Sequence, residues 1–272
     1  MVRTIARKMG ACKRSLFRAG LGLGLALAPV LLLGWSSGSE VAAQAPAAQT
    51  SPSGHPNNAY WNDHDKQLLV DFGGLEHFKE ADAMLGAPKT GEDRVVFMGD
   101  SITEGWKLDH SFPGKPYINR GISGQTTPQM LVRFREDVID LKPKAVVILG
   151  GTNDIAGNTG PMTLEQTEGN LASMAELARA NGIRVVLCSI LPVLDYWWAP
   201  GHEPAPKIAA VNTWLRSYAE REGFVYVDYY SAMKDKRGGL PQNLSKDGVH
   251  PLPAGFAVMT PLARAGIEKA MR

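Results

Sequence analysis

The chain is poor in cysteine, and this scarcity sets a first limit on its chemistry. Only Cys12 and Cys188 occur among 272 residues. Cys12 lies in a basic N-terminal segment that we expect to be removed, so the mature protein cannot form an intramolecular disulfide. Cys188 falls within the apolar run 183–191, a position typical of a buried structural thiol.

Several signatures of cofactor and metal enzymes are also missing. The sequence has no G-x-G-x-x-G or Walker pattern that would hold phosphates, and no H-E-x-x-H pattern that would hold zinc. The G-x-S-x-G turn of the α/β-hydrolases is absent as well. We therefore expect no cofactor and no metal.

An excess of basic charge is absent once the N-terminus is set aside. Six of the 29 basic residues but only one of the 27 acidic residues lie within residues 1–45. The remainder has 23 basic and 26 acidic side chains and a net charge of −3. This balance does not favour a nucleic-acid partner.

The N-terminus has the pattern of an export signal. Basic residues are spread over 3–18, an apolar stretch follows at 19–35, and small residues at 41–45 offer cleavage after Ala43 or Ala45. A membrane anchor is the alternative, although the apolar stretch is slightly short for a span and contains Pro29. We predict a signal peptide over 1–45 and a flexible linker over 46–60. The protein would then be secreted or periplasmic, without stable membrane insertion after cleavage.

From residue 61 onward, apolar runs alternate with helical patterns, which indicates one domain over 61–272. Runs rich in Val and Ile predict strands at 94–98, 117–122, 145–151, 183–190 and 224–230. Caps and turn residues predict a broken helix over 63–85 and helices over 127–141, 163–180, 206–222 and 253–271, with Thr127 as the N-cap of the second. Continuous apolar strands between helices predict a parallel sheet that is covered on both faces.

Polar residues follow the ends of these strands, where open parallel sheets bind their ligands. Ser101 follows the first strand, and Asp247 and His250 follow the last across a loop. His250 alone among the six histidines has an acid three positions before it. A serine hydroxyl, a histidine base and an orienting carboxylate are the components of a serine esterase. Each also has a structural interpretation: Ser101 as a helix cap, and Asp247 and His250 as a surface loop before a helix.

Two further strand ends offer donors for an oxyanion. Asn153, in the run GGTND, has a side-chain amide, and Gly124 allows close approach of its backbone N–H. The structural alternatives are an Asn-Asp turn and a turn glycine. Asp154 and Asn119 would support the site by hydrogen bonds or simply satisfy loop backbone.

These blocks, taken together, resemble the SGNH (GDSL-type) hydrolases. Gly-Asp-Ser at 99–101, Gly124, Gly-x-Asn-Asp at 151–154 and Asp-x-x-His at 247–250 match in order and approximate spacing, and the resemblance covers about 94–265. It implies a flavodoxin-like three-layer α/β/α sandwich with a five-stranded parallel sheet. It also implies Ser101 as nucleophile, His250 as base and Asp247 as its acid. The implied oxyanion hole consists of Ser101, Gly124 and Asn153.

Substrate signals are weaker. The loop after the fourth predicted strand is rich in proline and aromatic residues, and Trp106 follows the nucleophile closely. Residues that we expect at the pocket are Trp106, Asp195, Tyr196, Trp197 and Trp198. Packing of a long loop is the alternative. The block around 117–127 resembles bacterial relatives of platelet-activating-factor acetylhydrolases and carbohydrate acetylesterases, which implies short acyl groups.

The resulting hypothesis is a secreted esterase that removes short acyl groups, chiefly acetyl, from a small-molecule or polysaccharide ester. A lysophospholipase or thioesterase of the same fold is the second hypothesis. A non-catalytic envelope or carbohydrate-binding protein is the third. No feature of the sequence determines the oligomeric state.

Overall fold

The computed structural model of the chain describes residues 58–272. The predicted signal peptide and residues 46–57 of the predicted linker lie outside the described residues. The described part contains a five-stranded, fully parallel sheet with the strand order β2-β1-β3-β4-β5. Its strands are β1 (Val95–Gly99), β2 (Tyr117–Gly121), β3 (Ala145–Leu149), β4 (Arg184–Cys188) and β5 (Val225–Val227).

Helices connect the strands and cover both faces of the sheet. They are α1 (Ala59–Val70), α2 (Lys79–Leu85), α3 (Ser101–Glu104), α4 (Leu108–Ser111), α5 (Thr127–Val132), α6 (Thr152–Ile155), α7 (Leu164–Ala180), α8 (Pro204–Glu222), α9 (Tyr229–Met233) and α10 (Pro253–Ala270). A π-helical turn follows α5 at Arg135–Ile139. None of the helices in the described part of the chain is long and apolar enough to cross a membrane.

The core is divided into two layers by the sheet, because successive strand side chains point to opposite faces. Val96 and Met98 of β1 pack in one cluster with residues of α5, α7 and α8. Val95 and Phe97 pack in the other with residues of α3, α4, α9 and α10. Both faces of the central strands are therefore buried, which explains their unbroken apolar sequences. The predicted three-layer fold is confirmed.

Local signals predicted most element boundaries, with three corrections. Thr126, rather than Thr127, is the N-cap of α5 and forms a capping box with Gln129. The helix predicted over 127–141 is divided into α5 and the π-helical turn. The strand predicted to continue to residue 230 ends at Val227, because the Asp228 side chain accepts from Ser231 N and caps α9.

The register brings the strand ends together at one edge. Gly99 of β1 pairs with Gly121 of β2 and with Leu149 of β3. Gly99 also makes room for α3, since a Cβ there would lie 2.6 Å from Leu149 O and still closer to Thr103 of α3. Because Gly99 has no side chain, the first turn after β1 can lie directly on the sheet edge. Ser101 is the first residue of that turn.

Candidate active site

Ser101 is not the N-cap of α3. The N-cap of α3 is Asp100, whose Oδ1 accepts a hydrogen bond from Ile102 N at 3.0 Å. The interpretation of Ser101 as a helix cap is therefore wrong. Its Oγ lies 3.0 Å from His250 Nε2, although the two residues are 149 positions apart in sequence.

His250 is held by the carboxylate of Asp247. His250 Nδ1 and Asp247 Oδ2 are 2.6 Å apart, and Asp247 Oδ1 accepts from the backbone N–H groups of Val249 at 2.9 Å and His250 at 2.8 Å. Since an ionised carboxylate only accepts, Nδ1 carries the proton and Nε2 is the free base facing Ser101. Ser245, which the sequence did not single out, donates its hydroxyl to Asp247 Oδ1 at 3.0 Å.

The same hydrogen bonds favour the charged form of Asp247. Partial burial by itself would raise the pKa of this carboxyl. The hydrogen bond from the His250 side chain and those from the His250 and Val249 backbone outweigh burial and hold the pKa well below its usual range. Asp247 therefore stays negative and stabilises positive charge on His250.

Asn153 and Gly124 are linked to each other through a third residue. Asn153 is buried at the start of α6, and its Nδ2 donates to Gln125 O at 2.9 Å. The Nδ2 of Asn158 donates to Asn153 Oδ1 at 3.1 Å and to Gly124 O at 3.0 Å. Gly124 has a φ of 77°, which suits glycine. Asn158 was missed because two of its three partners, Gly124 and Trp198, are far away in sequence, and its place five residues after Asn153 was the one local sign of a role.

Asp154 and Asn119 act on the backbone around the site. Asp154 is buried and accepts from Thr127 N at 3.0 Å and from the Thr127 hydroxyl. Burial raises the pKa of Asp154 to about 6. Asn119 Nδ2 donates to Thr103 O at 2.6 Å and its Oδ1 accepts from Gly121 N at 2.8 Å, which attaches α3 to the end of β2.

Asp100 is a second buried carboxyl beside the nucleophile. Burial raises its pKa to about 7, and this effect exceeds the opposing hydrogen bond from Ile102 N and the attraction of His250. Its Oδ2 has no hydrogen-bond partner among the described residues. A carboxyl in this state is costly to ionise.

Arg133 is a buried cation that the sequence did not reveal as part of the site. It donates to Gly99 O and Arg120 O, each at 2.9 Å, and to Gln125 Oε1 at 2.6 Å. Asp137 pairs with it at 2.5 Å. The guanidinium thereby connects the ends of β1 and β2 with the loop that contains Gly124.

The five residues expected at the pocket have different environments. Trp106 is 2% exposed and packs among Phe97, Phe112, Tyr229 and Phe256, so nearly all of its ring belongs to the core. Tyr196 is also buried, with its hydroxyl 3.0 Å from Thr152 Oγ1. Asp195 is exposed and accepts from Tyr196 N and Gly201 N, which closes a turn.

The other two aromatic residues lie at the surface of the site. Trp198 is half-buried, its ring centroid is 6.2 Å from that of His250, and its Nε1 donates to Asn158 Oδ1 at 3.0 Å. Trp197 is 70% exposed and contacts Trp198 edge to face. A groove of about 720 Å³ is lined in part by Pro251, which directly follows His250 in the sequence. Gly105 and Phe256 also line it.

Comparison with known proteins identifies the family. The model of the GDSL-like lipase/acylhydrolase family matches residues 97–258. The crystal structure of a GDSL-like lipase from Bacteroides thetaiotaomicron has a TM-score of 0.71 and 45% sequence identity, over 73% of this chain and 99% of that one.

Curated relatives include two named esterases. The esterase TesA of Pseudomonas aeruginosa is 34% identical over 172 residues, which cover 58% of this chain and 79% of TesA. An acetylxylan esterase of Geobacillus stearothermophilus is 28% identical over 213 residues, which cover 65% of this chain and 93% of that protein. A further curated relative is matched over about half, 53%, of its own length. The match to the family model, over more than half of the chain, identifies the protein as a member of the GDSL-like lipase/acylhydrolase family and a carboxylic ester hydrolase.

Proposed function

We propose that the protein removes short acyl groups, chiefly acetyl, from carbohydrate esters by means of Ser101, His250 and Asp247. The observation that carries the proposal is the continuous hydrogen-bonded series Ser101 Oγ–His250 Nε2 at 3.0 Å and His250 Nδ1–Asp247 Oδ2 at 2.6 Å. A base within this distance of a hydroxyl is placed to accept its proton.

Acylation begins when Ser101 Oγ attacks the ester carbonyl carbon and its proton passes to His250 Nε2. The carbonyl oxygen becomes an oxyanion, which accepts hydrogen bonds from Ser101 N, Gly124 N and Asn153 Nδ2. Collapse of this intermediate breaks the bond to the alcohol oxygen, and His250 donates its proton to that oxygen. The alcohol leaves and the acyl group remains on Ser101.

Deacylation repeats these steps with water in place of the serine. His250 accepts a proton from water as the water oxygen attacks the acyl carbon. Collapse of the second intermediate breaks the bond between the acyl carbon and Ser101 Oγ, His250 donates its proton to Ser101 Oγ, and the carboxylic acid leaves. Asp247 stabilises the positive imidazole in both halves of the reaction without being protonated, in accordance with its low pKa.

Two observations favour a carbohydrate acetate as substrate. One is the similarity to a protein named acetylxylan esterase. The other is the pair Trp198 and Trp197, of which the first flanks His250 and the second is exposed beside it. Aromatic rings at the surface of a cleft offer flat apolar faces to a sugar. Export through a signal peptide at 1–45, followed by a linker over 46–60 and the catalytic domain over 61–272, would bring the enzyme to such a polymer.

A series of p-nitrophenyl esters tests the acyl preference. We expect kcat/KM to be highest for acetate and to fall with chain length, because the proposed substrate has a two-carbon acyl group. A maximum at long chains would favour the lysophospholipase or thioesterase instead. Acetate release from acetylated xylan, pectin, peptidoglycan and lysophospholipid would then identify the alcohol.

Labelling with a fluorophosphonate tests the nucleophile. The wild type and a Ser173→Ala control, altered on α7, should be labelled at Ser101, whereas Ser101→Ala should be neither labelled nor active. We expect Ser101→Ala to lose a factor of at least about 10⁴ in kcat. An unlabelled wild type, or equal labelling of Ser101→Ala, would mean that Ser101 is not the nucleophile.

A further inference from the structure

Trp198, Asn158 and Asn153 form a hydrogen-bonded network behind the site. Only one orientation of the two asparagine amides pairs every donor in it with an acceptor. The Nε1–H of Trp198 is a donor only, so it must face the oxygen of the Asn158 amide. Asn158 Nδ2 then faces the acceptors Gly124 O and Asn153 Oδ1. The two ends of the network therefore determine the orientation of both amides.

In this orientation the nitrogen of the Asn153 amide, not its oxygen, points away from Asn158. Because Asn153 Oδ1 accepts from Asn158, its Nδ2 is the atom that meets Gln125 O at 2.9 Å. An amide nitrogen has two hydrogens, so one remains for an oxyanion. If the Asn153 amide were reversed, its oxygen would face both Gln125 O and the oxyanion, and neither contact could be a hydrogen bond.

We propose that Asn158 is the residue that positions the oxyanion donors, and that Trp198 holds Asn158 in register. The inference rests on the proposed function, since it assigns the support of the Asn153 and Gly124 donors. Through Trp198, the aromatic loop after β4 sets the rate of acylation as well as forming the surface near His250.

The physical reason is preorganisation. Donors stabilise an oxyanion most when they already point at the place where its charge develops. Asn158 is buried, both of its Nδ2 hydrogens are donated to Gly124 O and Asn153 Oδ1, and its Oδ1 accepts from Trp198. A change that loosens this amide would leave substrate binding intact but misdirect the donors.

Asn158→Ala, Asn158→Asp and Trp198→Phe test the proposal. Alanine removes every hydrogen bond, and we expect kcat on p-nitrophenyl acetate to fall about 10- to 100-fold with KM changed less than about threefold. Aspartate keeps the shape and the acceptor for Trp198 but removes the donors, so its loss of kcat should equal or exceed that of alanine. Trp198→Phe removes one hydrogen bond and should lower kcat about 3- to 10-fold.

The controls are matched in residue type and burial. Asn212→Ala removes another buried asparagine, whose amide bonds only the Ile190 backbone at 2.8 and 2.9 Å. Trp214→Phe alters a half-buried tryptophan that stacks on Tyr218 and packs on the same core. Both should keep kcat within about twofold when the folded fraction is measured, since surface and packing changes away from the site act on stability.

Inhibition by phenylboronic acid separates a positioning role from a structural one. Boron accepts the Ser101 oxygen and forms a tetrahedral adduct that uses the oxyanion donors, so its Ki should rise in parallel with the fall in kcat across the Asn158 and Trp198 variants. Combining Asn158→Ala with Asn153→Ala should add less than about threefold to the loss caused by Asn153→Ala, because the two residues act as one unit.

The outcomes distinguish failure of the positioning role of Asn158 from failure of the proposed function. Full kcat in Asn158→Asp, a change confined to KM, or a Ki for the boronic acid equal to that of the wild type would overturn the positioning role of Asn158. Full activity in Asn153→Ala or Ser101→Ala would instead overturn the proposed function. If Asn158→Ala does not fold, the isosteric Asn158→Asp and Trp198→Phe, which leaves Asn158 itself unchanged, decide the question.

Discussion

Two tryptophans near the sequence motifs serve different regions of the molecule. Trp106 lies in an apolar layer, where its ring stacks on Phe256 with centroids 5.5 Å apart and its Nε1 donates to Ser111 Oγ at 2.9 Å. Trp198 packs partly against the apolar core, but its Nε1 donates to the buried Asn158 of a polar network. We call these the Trp106 region and the Trp198 region.

The difference lies in what each indole N–H meets. In the Trp106 region, the hydrogen bond satisfies the indole and the surrounding rings contribute packing. In the Trp198 region, the hydrogen bond is part of a network that reaches Gly124 and Asn153. Closeness to the nucleophile in sequence therefore says less about function than the partner of a single polar atom.

The largest expected effect is that of Trp106→Ala on stability. Removal of a buried tryptophan leaves a cavity among Phe97, Phe112 and Phe256, and we expect the free energy of unfolding to fall by about 3–5 kcal/mol. Urea denaturation measures the loss. The kcat of the folded fraction should stay near that of the wild type, and a selective loss of kcat would remove the distinction between the two regions.

Ionisation of the buried Asp100 should make the stability of the protein depend on pH. Its folded pKa of about 7 exceeds the unfolded value near 3.8, so folding takes up a proton between these values and stability falls as pH rises from about 4 to 7. The slope from this group is at most about 1.4 kcal/mol per pH unit.

Urea midpoints of wild type and Asp100→Asn between pH 4.5 and 8 measure this slope. The asparagine cannot ionise but retains an oxygen for Ile102 N, so the decline should be less steep in the variant and should be absent above pH 6, where Asp154 no longer contributes to it. Parallel curves for the two proteins would mean that Asp100 is ionised throughout this range.

Trp198→Ala should show a smaller free-energy change, expressed in catalysis. Loss of the hydrogen bond to Asn158 and of the ring near His250 should lower kcat/KM about 10-fold, equal to about 1.4 kcal/mol. Its stability should fall by less than that of Trp106→Ala, because Trp198 is only half-buried. Steady-state kinetics and urea denaturation on the same samples compare both quantities.

The smallest effect is expected for Trp197→Ala. Since Trp197 is 70% exposed, the free energy of unfolding should change by less than about 0.5 kcal/mol. If its ring contacts the sugar chain, KM should rise for acetylated xylan and stay constant for p-nitrophenyl acetate. An unchanged KM for both substrates would limit substrate contacts in this loop to Trp198.

Local patterns predicted the elements because they depend on neighbouring residues. The capping box of Thr163 and Gln166 placed the start of α7 correctly, and apolar runs placed the strands. Thr126 was missed as a cap because Thr127 beside Pro128 has the same local pattern. The choice was decided by Asp154, which accepts from the backbone and hydroxyl of Thr127 from 27 residues away.

Positions of candidate site residues could be predicted wherever parallel strands end together. That rule placed Ser101, Gly124, Asn153 and His250 at one edge. It could not reveal Asn158 or Arg133, since most of their partners belong to other segments of the chain, and it could not reveal Ser245, which does not directly follow a strand. Nor could it distinguish Trp106 from Trp198, because burial depends on which helices pack over each ring.

Periodicity and short motifs are local properties, and they were sufficient to predict the parallel sheet, the family and the order of the candidate catalytic residues. The three-dimensional arrangement was needed to establish that Asp100 caps α3 and leaves Ser101 to face His250. It also decided which tryptophan reaches the site. Hydrogen bonds and burial between distant segments arise only after the strands align, and no local pattern encodes their geometry.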